Sequence, residues 1–146
     1  MSKEETVEKL LDEICYVIDF LPSKVPEQFC ERFIEVEEYF LQEKQRQQYA
    51  EKFARIITKL HCYHNFQIFC EKWYETISIA ELAEMIEAVV MSENRYMNIL
   101  SEKENMLLLV EGATLHISIY NPPLSAVVNL SALASAEGLH LRRAES

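Results

Sequence analysis

The chain has 146 residues, is 49% apolar and carries only two glycines and four prolines, enough apolar material for a core and too little Gly and Pro for a loop-rich or disordered chain. Its formal net charge of −10 repels a phosphate backbone at long range, so general nucleic-acid binding is disfavoured. No apolar run approaches the roughly 20 residues of a membrane helix, and the opening Met1-Ser2-Lys3-Glu4-Glu5 lacks the character of a secretory signal, so a soluble, cytoplasmic protein is expected.

Val7, Leu10, Leu11, Ile14, Val17, Ile18 and Leu21 fall at helical spacing. They predict a first amphipathic helix that stops at Leu21-Pro22. Pro26 opens a second helix, which is expected to bury Phe29, Phe33, Val36 and Phe40 and to show Glu31, Glu35 and Glu38 to water. Gln42 to Gln48 is wholly polar, and the pattern fits either a break or one continuous rod. Tyr49, Phe53, Ile57 and Leu60 then define a third helix. Its polar face holds Lys52, Arg55 and Lys59, which suits a basic helix neutralised among acidic neighbours, or a local anion patch.

Asn65 can cap a fourth helix with Phe66, Phe69, Cys70, Trp73 and Ile77 inward. Ser78-Ile79-Ala80-Glu81 has the spacing of a capping box, in which the serine and glutamate each satisfy a free amide. A fifth helix follows, with Ile79, Leu82, Ala83, Ile86, Val89 and Val90 on its apolar side. Ser92 starts a short sixth helix holding Tyr96, Ile99 and Leu100.

After residue 105 the apolar rhythm changes. Met106 to Val110 is apolar throughout, as in a strand covered on both faces. Leu115, Ile117 and Ile119 alternate with polar neighbours, the period of a half-buried strand. Glu111-Gly112 lies between the two, and Gly112 is expected to supply the positive φ of a tight hairpin. Asn121-Pro122 reads as a helix start, and Gly138 as the residue just past its end. Leu124, Val127, Val128, Leu130, Leu133 and Ala134 form that helix's apolar side, and Leu139-His140-Leu141 is a last short strand. That strand is expected to return and pair with the hairpin.

The fold class these patterns predict is α+β: a mostly helical N-terminal bundle of five or six helices over 1–105, then a small β-β-α-β unit over 106–146 packed on it as one compact domain.

Catalytic signals are absent. The chain has no Gly-rich phosphate loop, no G-x-S-x-G and no H-E-x-x-H, and no cofactor is expected. His61, Cys62 and His64 form the only metal-like cluster, but zinc needs three or four convergent ligands, and a helix end with histidines beside its dipole is the simpler reading. Cys15, Cys30, Cys62 and Cys70 lack C-x-x-C spacing and read as reduced thiols inside apolar helices. His116 and His140 could meet as a pH-sensitive pair on adjacent strands. Trp73, Tyr74, Tyr96 and His116 are the candidates for a pocket between bundle and sheet.

Thr76 to Ile86, with its Ile79-Ala80-Glu81-Leu82-Ala83 core, resembles the second helix of a winged helix-turn-helix protein. The resemblance implies a recognition helix at 92–100 and a wing at 106–120, and hence a DNA-associated regulator. The implied wing holds no Lys or Arg to meet phosphates. The sequence is better read as a non-enzymatic interaction protein whose partner is another protein or a second copy of itself. Leu139, Leu141, Arg142 and Arg143 on the last strand are its candidate contact residues, because a strand at a sheet edge offers unpaired backbone groups.

Overall fold

A computed structural model gives the structure of residues 1–144. Within these residues five α-helices and a single 3-10 turn surround one seven-stranded sheet, antiparallel at every junction. The helices are α1 (Lys3–Leu10), α2 (Cys30–Phe40), α3 (Glu43–Leu60), α4 (Ile79–Val90) and α5 (Leu124–Ala136). The strands are β1 (Cys15–Asp19), β2 (Gln67–Cys70), β3 (Lys72–Tyr74), β4 (Tyr96–Ser101), β5 (Met106–Glu111), β6 (Ile117–Tyr120) and β7 (His140–Arg143). Their order across the sheet is β3-β2-β4-β5-β6-β1-β7.

This overturns the expected helical bundle with a small C-terminal appendage. Three segments read as helical are strands: Cys15–Asp19, Gln67–Tyr74 and Tyr96–Ser101. The sheet therefore runs through residue 105, where β4 pairs with β5 along six residues. The recognition helix implied by the winged-helix resemblance is absent, since β4 stands in its place. The unit expected over 106–146 does contain strand, strand, helix and strand, its last two residues, Glu145 and Ser146, lying outside the described residues. Its last strand pairs with β1 and not with the hairpin, because β1 inserts between β6 and β7.

The sheet has one thickly covered face. Alternate residues Ile68, Met97, Ile99, Leu108, Val110, Ile117, Ile119 and Ile18 lie in one cluster with Phe53, Ile57, Leu60, Leu82, Ile86 and Leu130 from α3, α4 and α5. The long amphipathic α3 touches both α4 and α5. On the opposite face a smaller cluster forms where Val7 and Leu10 of α1 meet Leu100 and Leu107, flanked by Trp73 and Tyr120. β5 is central and covered on both faces, which accounts for its unbroken apolar sequence.

Local signals explain the helix ends. Ser78 Oγ accepts the Glu81 amide at 3.1 Å and starts α4, while the Glu81 carboxylate accepts the Ser78 hydroxyl at 2.9 Å and not the Ser78 amide, so only the serine half of the expected capping box is made. Gln42 has an extended backbone (ψ 146), so α2 and α3 are separate helices. Gly138 (φ 75) follows α5 in the left-handed conformation that glycine tolerates best. Asn121 does not cap α5; it is itself left-handed (φ 55), and Pro123 precedes the helix.

α2 has no buried residue. Phe33 and Phe40 of its expected apolar face are half-buried against Phe20, while Phe29 and Val36 are exposed. The hairpin turn also differs from expectation. The left-handed residue is Ala113 (φ 60), not Gly112. An alanine there is strained, so Ala113→Gly is expected to raise stability by about 0.5–1 kcal/mol in denaturant unfolding. No gain, or a loss, would contradict the backbone conformation at this turn.

Candidate functional site

The histidine cluster predicted from sequence sits at the C-terminal end of α3. His61, Cys62, His64 and Asn65, with Ser101 at the end of β4 and Glu104 from the β4–β5 turn, line a polar cavity of about 230 Å³. His64 is buried, with its ring centroid 5.8 Å from that of Phe66 and its Nδ1 3.4 Å from Glu104 Oε1. His61 lies against the same phenylalanine at 6.2 Å. Cys62 is exposed. Among the described residues no group of three or more His, Cys, Asp or Glu side chains is arranged to hold a metal ion.

The four aromatic and histidine residues expected to share a pocket are not brought together. Trp73 lies beside α1, its Nε1 donating to Glu4 Oε1 at 3.0 Å and Lys3 Nζ standing 5.8 Å from its ring. Tyr74 packs against the large core on the helical side. Tyr96 is exposed beside Phe69, with ring centroids 6.2 Å apart. His116, just before β6, is far from Trp73 and Tyr74, since β3 and β6 are separated by four inter-strand steps of about 4.8 Å, roughly 19 Å, and it is set apart from Tyr96 on β4 by two such steps, roughly 10 Å. His116 and His140 are not on adjacent strands either, because β1 separates β6 from β7.

The thiols have mixed surroundings. Cys70 is buried, Cys15 half-buried, and Cys30 and Cys62 exposed; all four are free. Burial pushes the Cys15 thiol up, outweighing its hydrogen bonds to Tyr120, Ile119 and Ser118, so the reactive thiolate is disfavoured there. Tyr120 is likewise raised, first by burial and then by Cys15.

The C-terminal end of the sheet is the most distinctive surface. β7 pairs with β1 on one side, and its other side is a sheet edge. Leu139 is buried, Leu141 half-buried against the core, Arg142 half-buried and Arg143 exposed. Arg142 Nη2 donates to Asp19 Oδ2 at 2.8 Å across the β1–β7 junction. Beside β7 lies α5, thirteen residues without one charge. It buries Ala126, Leu130 and Ala134 and leaves Leu124 and Val128 78% and 60% exposed. Both had been expected to face inward. The outer face of α5 continues through Ser131, Ala132 and Ser135, all exposed. Arg55 clasps the end of this helix, its Nε donating to Glu137 Oε1 and Oε2 at 3.0 Å each and its Nη2 to Oε1 at 2.8 Å. That guanidinium holds the Glu137 carboxyl below the usual carboxylate range.

Asp19 and Arg142 also border two adjoining hollows beneath the Leu21 to Pro26 loop. One, of about 260 Å³, is lined by Val17, His116 and Lys24. The other, of about 240 Å³, is lined by Leu21, Val25, Cys30 and Phe33. Of the residues around these hollows, the sequence singles out His116 as a pocket candidate and Arg142 as a contact residue. Lys24 and Val25 sit in a loop with no periodicity to mark them, and Leu21 is read from its spacing as the end of a helix. The charge-free run of α5 was readable in the sequence as a departure from a chain that is 26% charged.

No protein-family model, curated protein or solved structure matches the chain. No helix among the described residues is long and apolar enough to cross a membrane.

Proposed function

We propose that the protein is a non-enzymatic interaction protein that works as a pair of identical copies, joined β7 to β7 with α5 packed on α5. The observation that carries this reading is the placement of an uncharged, partly apolar helix face beside a sheet edge. A strand edge offers backbone donors and acceptors to a partner strand. An exposed Leu-Val stripe next to it adds area worth removing from water.

Charge selects the second copy as the occupant. Each chain carries −10, so two copies repel wherever acidic surface meets acidic surface. At this end two acidic groups among the described residues are already paired, Glu137 with Arg55 and Asp19 with Arg142. A two-fold axis through Leu141 sets Leu141 against its own copy beneath the two α5 helices. It also keeps Arg142 from facing Arg142, an apposition that like-charge repulsion disfavours.

Size-exclusion chromatography with light scattering on the full chain tests this. The expected mass is twice the 17.1 kDa of one chain. Leu124→Glu with Val128→Glu, at exposed positions that should not disturb the fold, is expected to give a folded monomer. The dimer is expected to tighten between roughly 0.05 and 0.5 M salt, because screening weakens the repulsion between the copies. A full-length chain that is monomeric at high concentration in both salts rejects the proposal.

A further inference from the structure

We propose that the cleft between β1, β7, the Leu21 to Pro26 loop and α2 binds a small carboxylate with an apolar tail, of the medium-chain alkyl acid class. The two hollows described above share Asp19, Lys24 and Arg142 on their linings, so a cationic junction connects a polar chamber to an apolar one. The polar chamber adds His116; the apolar chamber adds Leu21, Val25 and Phe33. A ligand that matches this division has an anionic head and a hydrocarbon tail.

The junction favours an anion. Lys24 is exposed and has no hydrogen-bond or ion-pair partner among the described residues. Arg142 gives Nη2 to Asp19, and its enclosed Nε has no acceptor, so Asp19 alone does not use the donors of this guanidinium. With Asp19 paired to Arg142, Lys24 gives the cleft an unpaired positive charge among the described residues, in a chain of net charge −10. Negative charge around the cleft makes such a site selective for a small anion that can enter it, and holds off large polyanions.

The tail chamber favours an alkyl chain over a peptide. Away from the charged junction its wall is Leu21, Val25, Phe33 and the Cys30 thiol, with Ser23 as the single hydroxyl. A peptide would carry amides into it that find few partners, and an unpaired buried amide is costly. Phe33 is held by stacking on Phe20, with centroids 6.2 Å apart, so α2 supplies one wall of the chamber without being buried itself. The cleft lies on the open face of the sheet and in the loop before α2, while the proposed self-association uses the edge of β7 and α5. The two proposals therefore stand or fall separately.

Calorimetric titration of the full chain with octanoate, hexanoate, octanol and acetyl-leucine tests this inference. Octanoate is expected to bind, hexanoate roughly tenfold more weakly for the two methylenes removed, and octanol and acetyl-leucine more weakly than octanoate. Lys24→Gln, at an exposed position, is expected to weaken octanoate about threefold, the effect of one partly screened charge. Phe33→Ala is expected to weaken it about tenfold while leaving the charge preference intact. The two variants are checked for an unchanged far-UV circular dichroism spectrum. No octanoate binding at millimolar concentration overturns the proposal. So does octanol or acetyl-leucine binding as tightly as octanoate, or octanoate binding that neither substitution changes.

Discussion

Phe53→Ala is expected to remove about 3–5 kcal/mol of stability, the range for truncating a fully enclosed phenylalanine. Phe53 is 1% exposed, lies near the middle of α3, and its ring centroid is 6.3 Å from that of Tyr49. α3 touches both α4 and α5 above the sheet, so a hole at this position is lined by elements that cannot close it independently. The loss comprises the apolar transfer term and the cavity left behind. Measured against the 5–15 kcal/mol typical of a whole domain, it is a large share. Urea unfolding at constant m-value is the readout. Phe29→Ala, in the 3-10 turn just before α2, is the matched comparison, because that ring is exposed; its cost should stay within about 0.5 kcal/mol. A Phe53→Ala cost below about 1 kcal/mol would mean that α3 does not pack as described.

Gly112→Ala is expected to be the second costly change, about 1–3 kcal/mol or more, for a steric reason that differs from the usual one for glycine. Gly112 is not left-handed; its left-handed neighbour is Ala113. A Cβ at 112 would stand 2.5 Å from the Ser92 carbonyl oxygen and 2.8 Å from the Val89 carbonyl oxygen, and would also strike Ser92 Oγ. These atoms belong to the end of α4 and the turn that follows. That turn is tightly tied: Ser92 Oγ donates to Val89 O at 2.6 Å and accepts the Arg95 amide at 3.1 Å, and the Gly112 amide donates to Arg95 O at 2.9 Å. Two backbone oxygens cannot rotate away as a side chain can. Thermal unfolding of Gly112→Ala beside Ala113→Gly should give shifts of opposite sign, although the positions are adjacent. Equal or same-sign shifts would refute the close approach.

The sequence was readable where one physical signal acted alone. Ser78 with Glu81 announced α4, the helical spacing from Leu124 to Ala134 with Gly138 beyond it announced α5, and the period-two alternation of Leu115, Ile117 and Ile119 announced β6. It was misread where a strand is apolar on both faces. Val17 and Ile18 match the helical spacing set by Val7 and Leu10, although Asp12-Glu13 interrupts the apolar pattern between them. Phe66, Ile68 and Cys70 alternate inward, but Phe69 and Trp73 on the other face filled the gaps and imitated a helix. Met97 and Ile99 were hidden in the same way by Leu100, which faces α1. Exposure on α2 and α5 was not legible, because spacing gives the apolar side of a helix but not whether anything covers it. The cleft at Asp19, Lys24 and Arg142 joins residues far apart in the chain, and no local pattern marks such a meeting.

β1 lies between β6 and β7, with Val17 opposite Ser118 on one side and Arg142 on the other. During synthesis this early strand leaves the ribosome with neither neighbour yet made. It must wait, with both its backbone rims solvated, for more than a hundred further residues, while helices α2 to α4 can already form behind it. Such distant pairing slows the search for the native arrangement and lengthens the interval in which strand edges can stick to other chains. Any nascent chain halted before His140 would leave β1 as a raw border of the sheet, so premature termination late in the message should yield a clumping product more readily than a shortened but soluble one.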